Sequence, residues 1–127
     1  MPAQLNHTIV WCRDKHLSAA FFAEVLGLGA PRPHAHSVLV DAANAVSLDF
    51  WERDGPIAWQ HYAFLVSDEE FVAAMARLLA RRVTFWADSK RTQPGTINCR
   101  SGGRGIYFND PDGHLLELIT KPYETES

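Results

Sequence analysis

Cysteine is scarce in this chain. Cys12 and Cys99 are the only two, too far apart for a CxxC pair and too few for a disulfide framework. That excludes a disulfide-stapled secreted scaffold and fits a reducing, cytoplasmic setting. A strong excess of either charge is also missing. Twelve Lys and Arg stand against 15 Asp and Glu, and the net charge of −3 gives no electrostatic case for nucleic acid or an anionic membrane as partner. No apolar run approaches the roughly 20 residues of a membrane-spanning helix. Residues 1–5 lack the basic and apolar regions of a signal peptide. A phosphate loop is absent as well, because no helix follows Gly102-Gly103 to present its N-terminus. What remains is a soluble, globular composition, 46% hydrophobic and 21% charged, in 127 residues, which is one domain by size with room for a real core.

Within that plain composition the chain repeats itself. Asn6-His7-Thr8-Ile9-Val10-Trp11 is matched by Gln60-His61-Tyr62-Ala63-Phe64-Leu65, with the histidines 54 positions apart. Each run is an amide, a histidine, an apolar strand and then an Asp (Asp14, Asp68) suited to cap a following helix. Residues 38–52 align without gaps on residues 106–120, which superposes Asp49 on Glu117. Each half therefore carries one histidine and one carboxylate at equivalent places.

Read in order, residues 5–12 form a strand, and Leu17, Phe21, Val25 and Leu28 then recur at helical spacing up to the stop signals Gly27 and Gly29. Pro31 and Pro33 end any helix. Residues 37–40 and 46–51 read as strands joined by a turn at Ala43-Asn44, and Arg53-Asp54-Gly55-Pro56 reads as the boundary between halves. The second half has a strand over about 59–66 and a helix carrying Phe71, Val72, Met75, Leu78 and Leu79. A short strand at 84–86 and strands at 104–108 and 114–120 follow, the last two joined by the turn Asp110-Pro111-Asp112-Gly113. Residues 87–103 are polar, without periodicity and long for a connection, as a lid over a site would be. The fold class is α+β: two β-α-β-β-β modules, about 1–54 and 55–127 of one domain, forming a cup-shaped mixed sheet with helices on its outer face. Strand alternation puts His7, Asp49, His61 and Glu117 on the side away from the helices.

Two imidazoles with one or two carboxylates make a site for a divalent metal, and a 2-His-1-carboxylate set leaves positions open for substrate or oxygen. The bland alternative is that these are ordinary strand residues, which holds for many single histidines. Glu117 resists it, because Leu115, Leu116, Leu118 and Ile119 flank it, and an unpaired buried carboxylate costs several kcal/mol or is protonated. Asp49 is one methylene shorter and is either a fourth ligand or a carboxylate standing free of the metal. His114 has the opposite parity to Glu117 and reads as structural. Arg104 reads as an anion contact or a solvated strand-end residue.

At these residues the chain resembles the vicinal oxygen chelate superfamily of glyoxalase I, extradiol dioxygenases, fosfomycin-resistance thiol transferases, methylmalonyl-CoA epimerase and bleomycin-binding proteins. The resemblance covers nearly the whole chain. It rests on Leu5-Asn6-His7-Thr8-Ile9-Val10, on Gln60-His61-Tyr62-Ala63-Phe64, and above all on residues 107–118, Tyr-Phe-Asn-Asp-Pro-Asp-Gly-His-Leu-Leu-Glu-Leu. It implies His7, His61 and Glu117 as metal ligands, and Tyr107 as a tyrosine that hydrogen-bonds substrate in several members. Asp49 falls where glyoxalase I has a further carboxylate ligand and three-ligand members have none.

The function expected from this resemblance is a glyoxalase-like lyase or isomerase acting on a small oxygen-chelating substrate. It would use a divalent ion (Fe, Mn, Ni or Zn), with Glu117 or Asp49 moving a proton and Tyr107 at the substrate. The alternatives are an extradiol-type dioxygenase, for which no second-half histidine occurs at 84–86 or 97–99, and a metal-free antibiotic-binding resistance protein with Trp11, Trp51 and Trp86 as walls. Thiol transfer to fosfomycin would draw on Lys90, Arg91, Arg100 and Arg104. A homodimer is expected, since family modules often pair across chains.

Overall fold

The helices begin where side chains can satisfy their first amides. The computed structural model describes residues 2–123 and divides the chain into two compact units, one up to Ala58 and one from Trp59, four residues beyond the boundary expected from Arg53-Asp54-Gly55-Pro56. In the first unit β1 (His7–Cys12) leads into α1 (Lys15–Leu26), then β2 (Arg32–His34), β3 (Ser37–Asp41) and β4 (Ser47–Glu52). Asp14 caps α1 by accepting from the amides of His16 and Leu17. Gly27 ends it at φ 70°, a left-handed conformation that a Cβ would penalise, and its amide bonds back to Ala23 O. The buried face of α1 is not the one its large residues suggest. Ser18, Ala19, Phe22, Ala23, Val25 and Leu26 are buried while Leu17 is 55% exposed. Small residues let the helix approach the sheet closely, where Phe22 meets Phe50 of β4 edge-on at 5.0 Å. β2 contains Pro33 and lies at the end of the sheet order β1-β4-β3-β2, an edge position where a missing amide can be tolerated.

The second unit repeats the plan with β5 (His61–Leu65), α2 (Asp68–Ala80), β6 (Phe85–Trp86), β7 (Gly105–Asn109) and β8 (Leu115–Ile119), in the sheet order β5-β8-β7-β6. Here the expected cap shifts by one residue. Ser67 is the N-cap, forming a reciprocal capping box with Glu70, and Asp68 is the first helical residue. Phe71, Ala74 and Leu78 are buried, whereas Val72 and Leu79 are 56% and 61% exposed, so the apolar stripe is narrower than the sequence suggests.

Both units are therefore β-α-β-β-β, each sheet having one parallel pair in an otherwise antiparallel ladder. The internal repeat holds residue for residue. His7 pairs with Ser47 and Ile9 with Asp49, as His61 pairs with Leu115 and Ala63 with Glu117.

Residues 87–103 have no long elements of their own but are tied down. Asp88 accepts from the amides of Thr92 and Gln93 and from the Thr92 hydroxyl. Asn98 donates through Nδ2 to Ala87 O and exchanges backbone bonds with Gly105. Gly105 is required there, because a Cβ would lie 2.9 Å from Asn98 Oδ1. The turn before β8 is stapled by Asp110 Oδ1, which accepts from the amides of Asp112 and His114. Burial pushes the Asp110 carboxyl above the ordinary carboxylate range, against the pull of His114 and those amides. His114 is fully buried and takes the Gln60 amide on Nδ1, the structural role its parity suggested. No helix among the described residues is long and apolar enough to cross a membrane.

Candidate metal centre

Register decides which side chains share a face. Across the second unit the row Ala63, Glu117, Tyr107, Trp86 is formed by directly paired residues of β5, β8, β7 and β6. In the first unit the corresponding row is Ile9, Asp49, Leu39, Arg32. One histidine stands two residues before the start of each row, on the same face.

In the second unit the expected pair is brought together. His61 Nε2 lies 3.0 Å from Glu117 Oε1, with the His61 side chain 40% exposed and that of Glu117 1% exposed. The other ring nitrogen, Nδ1, is 2.9 Å from Leu115 O. A carbonyl only accepts, so Nδ1 carries the hydrogen and Nε2 of a neutral ring has only its lone pair. That lone pair then faces a carboxylate oxygen, itself an acceptor, across hydrogen-bonding distance. Two acceptors at 3.0 Å repel unless a cation or an added proton lies at the contact. A histidine oriented through its far nitrogen by a carbonyl is also the usual support for a metal ligand.

The remaining oxygen of Glu117 is satisfied by a residue the sequence reading passed over. Tyr123 donates its hydroxyl to Oε2 at 2.5 Å. Enclosure of the hydroxyl, then its bonds to Glu117 and Tyr107, hold the Tyr123 phenol well above its ordinary range, although the ring is half exposed. Tyr107, directly opposite Glu117, stacks on the His61 ring at 6.0 Å between centroids and accepts from Arg100 Nη1 at 3.0 Å. Neither a periodicity nor a motif marks Tyr123. The available signal was its place four residues beyond β8, within reach of the end of the Glu117 strand.

In the first unit His7 and Asp49 line one pocket of about 290 Å³ with Asn6, Arg32, His34, Leu39 and Ser47. His7 Nδ1 is 2.8 Å from Asn6 Oδ1, so the ring again presents Nε2 outward. Asp49 is 7% exposed, and its buried Oδ1 has no hydrogen-bond partner. Arg32 does not reach it, being held by Asp41, whose carboxyl the pair keeps below the usual range. Among the described residues no three His, Cys, Asp or Glu side chains are gathered into a metal-binding group. Taken unit by unit, the donor chemistry nonetheless suits a divalent ion: in the second unit an imidazole set against a buried carboxylate, and in the first an imidazole sharing a pocket with an orphaned carboxylate oxygen.

The basic residues are dispersed rather than clustered. Arg91 binds Asn109, Arg100 binds Tyr107, and Arg104 pairs with Asp68 while lying over the Phe71 ring at 4.8 Å. Arg104 is thus a structural strand-end residue. Cys99 is exposed and Cys12 buried, neither is in a disulfide among the described residues, and the Cys12 thiol donates to Trp51 O.

Comparison with known proteins identifies relatives of the whole chain. The solved structures of Oxidase ChaP-H1 and Oxidase ChaP-H2 superpose with a TM-score of 0.95 each. They are 48% and 46% identical, covering 98% and 100% of this chain and 100% of each of theirs. The glutathione transferase FosA of Serratia marcescens is 34% identical over 124 residues, 93% of this chain and 81% of its own. Residues 4–118 match the Glyoxalase/Bleomycin resistance protein/Dioxygenase superfamily, and this chain belongs to it.

Proposed function

We propose that the chain is a divalent-metal-dependent enzyme of oxidase type, acting on a small molecule that presents two adjacent oxygen atoms, with His7, His61 and Glu117 as metal ligands. The observation that carries it is the 3.0 Å contact of His61 Nε2 with Oε1 of the fully buried Glu117, which a cation or an added proton makes favourable. The oxidase direction is supported by the two oxidases that this chain matches at nearly half identity over its whole length, a nearer likeness than that to the transferase. A bound divalent ion would supply Lewis acidity to the two substrate oxygens and, as Fe or Mn, a path for electrons to dioxygen; Ni or Zn fit the first role better.

The chain's own part is binding and orientation. His61 and Glu117 would hold the ion together, and His7 of the first unit would complete the set, as a homodimer pairing modules of two chains would allow. Tyr107, buried with its ring stacked near His61 at 6.0 Å and its hydroxyl held by Arg100, would steady the histidine beside the ion. A cytoplasmic location belongs to the same reading, supported by two cysteines that form no disulfide among the described residues.

The lyase or isomerase reading is second, and Asp49 favours it. A buried carboxylate with an unpartnered oxygen beside His7 is suited to take a proton from a substrate carbon. One set of measurements separates the two. Protein purified without chelators and loaded anaerobically with Fe(II) should consume oxygen with o-diphenols. His7→Ala and His61→Ala should each lose metal affinity by about tenfold or more. Proton exchange on an α-hydroxycarbonyl in deuterated water without oxygen uptake, abolished by Asp49→Asn, would favour the second reading. Equal metal content in wild type and both alanine variants would end the metal reading.

A further inference from the structure

Glu117 has two oxygens, and the structure gives them different neighbours. Oε1 faces His61 Nε2, while Oε2 takes the Tyr123 hydroxyl at 2.5 Å. Behind Tyr123 stands a chain of polar groups, with its hydroxyl 3.4 Å from that of Tyr107 and the latter 3.0 Å from Arg100 Nη1. The direction of this chain is fixed by its ends. A guanidinium only donates and a carboxylate only accepts, so Arg100 donates to Tyr107, Tyr107 to Tyr123, and Tyr123 to Glu117. Each hydroxyl thereby turns its hydrogen toward the carboxylate, and such chains polarise one another.

We propose that Tyr123 is a positioning residue for Glu117: by occupying Oε2 it reserves Oε1 as the single oxygen that Glu117 offers to a metal. The proposal rests on the metal reading above. A carboxylate free at both oxygens can bind an ion through either or both; one pinned by a phenol keeps a single oxygen and a fixed plane. The arrangement leaves coordination positions for two substrate oxygens, which a two-point carboxylate would reduce. It also gives Tyr107 a task besides contacting substrate, since its hydroxyl supports the donor that holds Glu117.

Co(II) titration of the full-length protein tests this, read by calorimetry and by the visible ligand-field bands. Wild type should bind Co(II). Tyr123→Phe keeps the ring and removes the hydroxyl, and should bind about tenfold or more weakly with bands shifted and weakened as the second oxygen joins the shell. Tyr107→Phe should move the bands in the same direction by less. Identical bands and affinity in wild type and Tyr123→Phe would overturn this inference and leave the metal reading standing. A change seen only in Tyr123→Ala would assign it to the ring and overturn the inference too. Wild type failing to bind Co(II) would remove both.

Discussion

The acceptor-to-acceptor contact makes a prediction about stability that runs against intuition for a buried ion pair. Glu117→Gln preserves shape but replaces one oxygen with an amide nitrogen. The amide oxygen can still accept from Tyr123, while the NH₂ group donates to His61 Nε2, whose lone pair the Leu115 carbonyl has oriented toward it. In metal-free protein the substitution therefore removes a fully buried charge and converts a repulsive contact into a hydrogen bond. Relieving one such unsatisfied contact is worth about 1–3 kcal/mol. For a chain of this length that corresponds to a rise in Tm of roughly 3–10 °C. Calorimetry in excess chelator should show the variant more stable than wild type. Adding Mn(II) at a hundred times its Kd should then stabilise wild type by about 2.7 kcal/mol and leave the variant unmoved. If the metal-free variant is instead less stable by 1 kcal/mol or more, the wild-type contact is a favourable ion pair with a protonated imidazole, and the argument from two acceptors fails.

Two other predictions follow from the elements around the site. Ser67→Ala removes the α2 cap and should cost about 1 kcal/mol. Because its bonds to Ser67 hold the Glu70 carboxyl below its ordinary value, the stability it contributes is present above about pH 4.5 and lost as pH falls through the lowered value. Chemical denaturation between pH 3 and 6 should show that slope in wild type and a flatter one in Glu70→Gln, because the main cause, the Ser67 backbone amide on the Glu70 carboxylate, survives in Ser67→Ala; equal slopes in wild type and Glu70→Gln would contradict it. The face of β5 that carries His61 and Ala63 also leaves Leu65 60% exposed, a surface suited to cover by a second copy. Sedimentation should give twice the 14.2 kDa chain mass, and a monomer at micromolar concentration with full metal occupancy would refute the dimer.

The sequence made the strands legible because period-two alternation and the ungapped repeat mark them together. The repeat equates His7 with His61 and Asp49 with Glu117, whereas the parallel pairing of first and last strands in each unit is a tertiary fact. The helices were legible in place but not in face. Leu17 and Leu79 look like core residues in a periodicity count, yet they are exposed, because Ser18, Ala19 and Ala74 take the buried positions and small side chains carry little hydropathy signal. The strand with Pro33 was hidden for a related reason: proline argues against a strand except at an edge, and edge position is a tertiary fact. At the site, residue types showed which groups hold chemistry but not what surrounds them. The Leu115 carbonyl that sets the tautomer of His61 and the Tyr123 hydroxyl on Glu117 both depend on main-chain course.

The two units thus start from one scaffold and differ in what their equivalent carboxylates meet. Glu117 has an imidazole on one oxygen and a phenol on the other, with a tyrosine directly opposite on the neighbouring strand. Asp49, at the matching place, faces Leu39 across the same step and keeps an oxygen without a hydrogen-bond partner. A donor network around a buried carboxylate lowers its freedom and fixes its geometry, as a permanent metal ligand requires. A buried carboxylate with an orphaned oxygen holds unspent acceptor capacity, as a proton-taking group requires. The two positions therefore have different surroundings, Leu39 against Tyr107 above all, and different roles are expected of the two carboxylates. Asp49→Asn tests the division in the same metal titration: it should leave affinity within about twofold, whereas loss of a ligand costs tenfold or more. A tenfold loss in Asp49→Asn would make it a fourth ligand and erase the distinction.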